Sequence, residues 1–198
     1  DDAALSLSAT MRTSALHGVR LRIFNCFTVS GWAPQLDSKL NTCAVTAIRK
    51  HEDARFLELI CANAEAHDLG FHDAPLRPDW SLVKGREQVQ LAYGKESELT
   101  RTVAAALSSL ICGEGNIVGA PLAVGHRDHL VCLWASILIS AETPFFVYED
   151  IPYSLDIPDD ALKLQIAVVE NWIGRELFPV NICNAIPRDE LLNLLSCY

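Results

Sequence analysis

The chain has 198 residues, half of them hydrophobic, and its 16 Lys and Arg against 25 Asp and Glu give a net charge of −9. That length suits a single domain able to bury roughly 70% of its unfolded surface, and the apolar content places it far from disorder. The acidic balance argues against nucleic acid as a partner, because phosphate binding needs clustered positive charge and the longest basic cluster is Arg49-Lys50.

Residues 3–16 carry apolar positions at helical spacing, with Gly18 as a stop. Val19 to Val29 reads as a strand, and 30–41, with Gly31, Trp32 and Pro34, as a loop long enough to wall a pocket. Thr42 to Ala64 is an amphipathic helix whose Val45, Ile48, Phe56, Leu59 and Ile60 face a sheet. A short strand is predicted over 66–71, followed by a loop, 72–78, whose prolines exclude helix.

Glu96 to Cys112 is a second clear helix, ended by Gly113 and Gly115. A strand at 117–124, a helix at 128–140 and a strand at 144–148 follow, and the loop from Glu149 to Tyr153 leaves the last of them. The alternation of strand and helix predicts an α/β fold with a mainly parallel sheet and helices on both faces. After Pro158, 164–169 and 177–183 read as extra edge strands near the C-terminus, and 188–197 as a closing helix.

The apolar stretch from Leu130 to Ala141 is about a dozen residues, short of the roughly 20 that a bilayer demands, so no membrane span is expected. Seven cysteines, at 26, 43, 61, 112, 132, 183 and 197, form no C-x-x-C pair and read as small core residues of a reducing compartment. No charged-then-apolar leader opens the sequence, and a cytoplasmic location is expected.

Gly125-His126-Arg127-Asp128-His129 stands at a strand-to-helix junction, the place where open α/β sheets hold their ligands. Asp1 and Asp2 stand directly before the first helix, so two carboxylates and two imidazoles can meet in one crevice and hold a metal and a water. Plainer roles exist for each of them. Asp1-Asp2 alone suits a solvated terminus or a helix N-cap, Asp128 an N-cap, and His126 and His129 ordinary loop positions. Asp73 is a turn former by default, Arg49 and Glu52 a surface ion pair, and Tyr148 and Glu149 rim residues at a strand's end. Trp32 suits a platform for a sugar face or a place in the core.

Five segments occur together over nearly the whole chain: Asp1-Asp2, Arg49 to Asp53, Asp68 to Arg77, Gly125 to His129, and Tyr148 to Tyr153. In this order they resemble the PIG-L (LmbE-like) deacetylases. The resemblance implies a Rossmann-like three-layer domain over 1–198, a zinc ion, and hydrolysis of an N-acetyl group from an N-acetylglucosamine-like sugar. It implies that Asp1 is the general base, Asp2 and His129 zinc ligands, His126 the histidine that steadies the oxyanion, and Asp128 the carboxylate beside it. Arg49, Asp73, Tyr148 and Glu149 would bind the substrate, a small carbohydrate. The family's first motif reads His-x-Asp-Asp, so the resemblance also implies a longer protein, with a histidine and a strand before Asp1 and further chain after Tyr198.

Two rival functions make different demands on the sequence. A degenerate relative that binds a sugar or scaffolds without turnover differs from the enzyme in its metal content. A nucleotide-binding domain demands a G-x-G-x-x-G after a strand, whereas Gly113-x-Gly115 precedes one.

Overall fold

The computed structural model describes residues 2–33, 40–61, 64–78, 97–111, 115–124, 126–140, 143–151, 153–155, 157–180 and 186–198. In chain order the elements are α1 (Asp2–Leu16), β1 (Arg22–Asn25), α2 (Thr42–Ile60), β2 (Glu65–Asp68), α3 (Glu98–Leu110), β3 (Val118–Pro121), α4 (Arg127–Ile139), β4 (Phe145–Tyr148), α5 (Asp159–Ile173) and α6 (Arg188–Leu195), with a 3-10 turn at Ala74–Leu76. They group into two compact units, one of residues 3–82 with 182–198 and one of 83–181.

The first unit is built on a β-α-β step. β1 and β2 pair in parallel, from Arg22 opposite Glu65 to Asn25 opposite Asp68, and α2 makes the crossover. Asn41 starts α2 by accepting the Ala44 N–H at 2.9 Å, which satisfies one of the donors a helix leaves unpaired at its start. Met11, Phe56, Ile60, Leu194 and Cys197 form a buried cluster that joins α1, α2 and α6. Arg12 reaches across it, donating to Glu190 Oε1 and to the Ile60 carbonyl, each at 2.7 Å. Its second bond satisfies a carbonyl orphaned at the end of α2.

The second unit repeats the step. β3 and β4 pair in parallel from Val118 opposite Phe145 to Pro121 opposite Tyr148, with α4 between them in sequence. Ser97 caps α3 by accepting the Thr100 N–H at 3.1 Å, and α4 packs on both α3 and β3. Because α4 is covered around most of its circumference, Leu130, Val131 and Leu133 are all inaccessible to solvent. Its sequence is correspondingly apolar on every side rather than striped. Trp134 stacks on Trp172, with centroids 3.4 Å apart, and so joins α4 to α5.

The α/β class and the parallel strand pairing match the expectation, while one expected edge strand does not exist. Residues 164–169 lie inside α5, and the described part of 177–183, residues 177–180, has no strand. Leu162, Leu164 and Ile166 alternate with Lys163 and Gln165, which imitates a strand over that short window. The longer spacing of Leu162, Ile166, Val169 and Ile173 is helical, with Asp159 and Asp160 in the first turn and Gly174, at φ 69°, closing the helix. Among the described cysteines, Cys26 and Cys197 are buried as expected, Cys61 and Cys132 are half-buried, and Cys43 is exposed.

Between β3 and α4 the chain bends sharply at Ala123, a buried alanine with φ 63°. A β-branched side chain is poorly tolerated there, both in its backbone conformation and for lack of room. Ala123→Val is expected to lower unfolding free energy by at least about 2 kcal/mol, and Ala123→Gly to stay within about 1 kcal/mol of wild type, both read by denaturant melts.

Candidate active site

In the second unit the chain leaves β3 through 122–124 and β4 through 149–151, at the same end of two neighbouring parallel strands. This is the carboxyl edge at which such sheets bind ligands. His126 is the N-cap of α4, and its Nδ1 accepts the Asp128 N–H at 3.3 Å. That bond suits a neutral ring with its proton on Nε2, whereas a protonated ring would present two donors. The residue that caps α4 is therefore the histidine, and Asp128 sits buried in the first turn.

His129 follows one turn later, so its side chain rises on nearly the same helix face as that of His126. The two rings lie 4.7 Å apart between centroids. His129 is almost fully buried, and its Nδ1 is 2.7 Å from Oδ2 of Asp150, which is wholly inaccessible to solvent. A carboxylate oxygen accepts, so Nδ1–H donates and the lone pair of His129 is left on Nε2. The same Oδ2 accepts the Val124 N–H at 3.2 Å. Tyr153 completes the group, its ring 5.2 Å from each imidazole and nearly perpendicular to that of His129.

Of the site residues expected from the sequence, His126, Asp128 and His129 share the first turn of α4 or its cap. Asp1 and the side chain of Asp2 lie outside the described residues. Tyr148 ends β4 opposite Pro121, and Glu149 is exposed. Among the described residues no three His, Cys, Asp or Glu side chains form a group able to hold a metal.

Arg49 and Asp73 belong to the first unit, past the carboxyl ends of β1 and β2. Arg49 donates through Nη2 to the Trp32 carbonyl at 3.0 Å, and Trp32 itself is 56% exposed. Asp73 is buried and accepts a short hydrogen bond from Ser30 Oγ–H, while its own N–H donates to the Val29 carbonyl at 2.9 Å. The Ser30 N–H in turn donates to Thr46 Oγ1 of α2 at 3.1 Å. Arg49 and Asp73 thus hold opposite ends of one loop segment, 29–32.

Asp150 and Tyr153 are the residues that sequence reasoning passed over. Both stand in the segment Tyr148 to Tyr153, where Glu149 and Asp150 are adjacent acidic residues that composition alone does not tell apart. Adjacent residues leaving a strand point to opposite sides, and here the inward one is Asp150.

No family model matches the chain, and no curated protein matches it. Solved structures do, and they show the fold: the chain has the α/β fold of proteins solved as deacetylases. It is similar to the deacetylase of teicoplanin biosynthesis solved in complex with teicoplanin, at 19% identity and TM-score 0.65, covering 100% of this chain and 81% of that one. It is similar to the zinc-inhibited form of teicoplanin deacetylase Orf2, at 19% identity and TM-score 0.60, covering 87% and 80%. A third is the N,N'-diacetylchitobiose deacetylase from Pyrococcus horikoshii complexed with its inhibitor MPG, at 16% identity and TM-score 0.53, covering 90% and 67%. Among the described residues no helix is long and apolar enough to cross a membrane.

Proposed function

We propose that this chain is a zinc-dependent hydrolase that removes the acetyl group from an N-acetylated amino-sugar conjugate. The observation that carries the reading is the pair of oriented imidazoles at the start of α4. The His129 Nδ1–H is bound to Asp150 at 2.7 Å, which in the neutral ring puts the lone pair on Nε2, the nitrogen that would take a metal. Histidine ligands characteristically donate their second ring N–H to a carboxylate in this way. The donor chemistry therefore fits zinc, with Asp2 and His129 as the ligands from this chain. When bound, such an ion supplies a Lewis acid for an amide carbonyl.

The remaining roles belong to the protein. Asp1 takes a proton from the attacking water as general base. His126, with Nδ1 occupied by the Asp128 N–H, presents Nε2–H toward the carbonyl oxygen as that oxygen gains charge. Asp128 stands beside it in the first turn of α4. Water adds to the carbonyl carbon, the C–N bond breaks, and acetate and the protonated amine leave. Tyr148 and Glu149, where the chain leaves β4, bind the sugar, a neutral carbohydrate suited to polar loops rather than a basic groove.

Deacetylase neighbours at TM-scores up to 0.65 support the reaction class. The test is acetate release from an N-acetylglucosaminide by zinc-loaded protein, before and after chelation. Release that depends on zinc is the expected result. Zinc-loaded protein that binds the glucosaminide without releasing acetate would contradict it and favour a binding domain.

A further inference from the structure

We propose that Asp150 is a positioning residue: it selects the tautomer of His129 and, through the same carboxylate, fixes the loop that leads into α4. The proposal rests on the reading of His129 as a metal ligand. Oδ2 of Asp150 faces two donors at once, His129 Nδ1–H at 2.7 Å and the Val124 N–H at 3.2 Å. The first bond decides which ring nitrogen keeps its lone pair, because the proton must lie on the nitrogen that faces the carboxylate. The second bond holds the backbone directly after Ala123, the residue with positive φ.

The loop is held from a second side. Gln165 of α5, almost wholly buried, donates from Nε2 to the Leu122 carbonyl at 2.9 Å. Asp150 also acts through its main chain, where its carbonyl accepts the Ser154 N–H at 2.8 Å and closes the turn that carries Tyr153 to the two rings. One buried residue thereby connects the entry to α4, the ring of His129 and the placement of Tyr153. A group with only a packing role would need neither the charge nor the bond to the imidazole.

The test uses the whole chain labelled with nitrogen-15 in histidine, with the tautomer of His129 read by long-range proton–nitrogen correlation in metal-free protein. The signal is assigned by its loss in His129→Asn. Zinc affinity is measured separately by competition with a chromophoric chelator. Wild type is expected to hold the proton on Nδ1. Asp150→Ala is expected to move it to Nε2 and to weaken zinc binding about 10–100-fold.

Asp150→Asn keeps an oxygen for both donors, so it should retain the tautomer and lose less affinity. If Asp150→Ala does not fold, the Asn variant decides the matter: wild-type tautomer with weaker zinc binding supports the proposal, and unchanged affinity overturns it. A wild-type proton on Nε2, or a folded Asp150→Ala with unchanged tautomer and affinity, overturns it as well. In those cases intact zinc binding by wild type leaves the hydrolase reading standing. A wild-type chain that binds no zinc at all removes the ligand role of His129 and this proposal with it.

Discussion

Replacing His129 by Asn is expected to abolish turnover while leaving the fold intact. The side-chain amide nitrogen of Asn occupies nearly the position of Nδ1 in histidine, so it can still donate to Asp150 Oδ2, the partner now 2.7 Å away. What disappears is Nε2, and with it the metal ligand. Lewis-acid stabilisation is worth several kcal/mol, and each 1.36 kcal/mol is tenfold in rate, so kcat/KM should fall about 10³-fold or more. Bound zinc, measured by elemental analysis, should fall in parallel. His129→Ala removes both nitrogens and leaves a buried carboxylate without its imidazole, which adds about 1–3 kcal/mol of destabilisation. The two variants together separate chemistry from stability.

His126→Asn should behave differently. The Asn oxygen stands where Nδ1 of the ring accepts the Asp128 N–H, and Asn is among the best N-cap residues, so α4 keeps its start. The variant loses the Nε2–H together with the ring's contacts to His129 and Tyr153. Removal of one preorganised oxyanion donor costs about 10²–10³-fold in kcat, with KM and zinc content close to wild type because the interaction strengthens only in the transition state. His126→Ala should lose the same activity and, in addition, about 0.5–2 kcal/mol of stability through the missing cap. Thermal melts and steady-state kinetics on the pair check both statements.

What could be read from the sequence was local, and what could not be read depends on contacts between distant segments. The helices α2, α3 and α4 were legible because each carries its signal locally, and all three have side-chain caps, at Asn41, Ser97 and His126. The strands came out too long: Val19 to Val29 was expected where β1 spans Arg22–Asn25. Pairing resumes beyond Asn25 at Val29, bridged in parallel to His72, so the ladder is interrupted within the expected strand, and hydrophobicity alone does not mark such a break. α5 was misread because five residues of alternation outweighed a longer helical stripe.

The site divides in the same way. His126, Asp128 and His129 were legible because a four-residue segment at a strand-to-helix junction defines them. Asp150 was not, since its function depends on β4 lying beside β3, which brings Asp150 to the N–H of Val124, 26 positions earlier in the chain. Tyr153 depends in turn on the bend that follows Asp150. The individual roles of Asp1 and Asp2, as base and ligand, came from the resemblance and belong to the proposed mechanism.

Anomalous diffraction at the zinc edge, from crystals of the zinc-loaded protein, addresses the central assignment directly. The predicted result is a single strong peak bonded to Nε2 of His129 at about 2.0–2.1 Å, with Nδ1 still donating to Asp150. A peak bonded to Nδ1 of His129, or zinc held elsewhere with the imidazole of His129 unengaged, would contradict it.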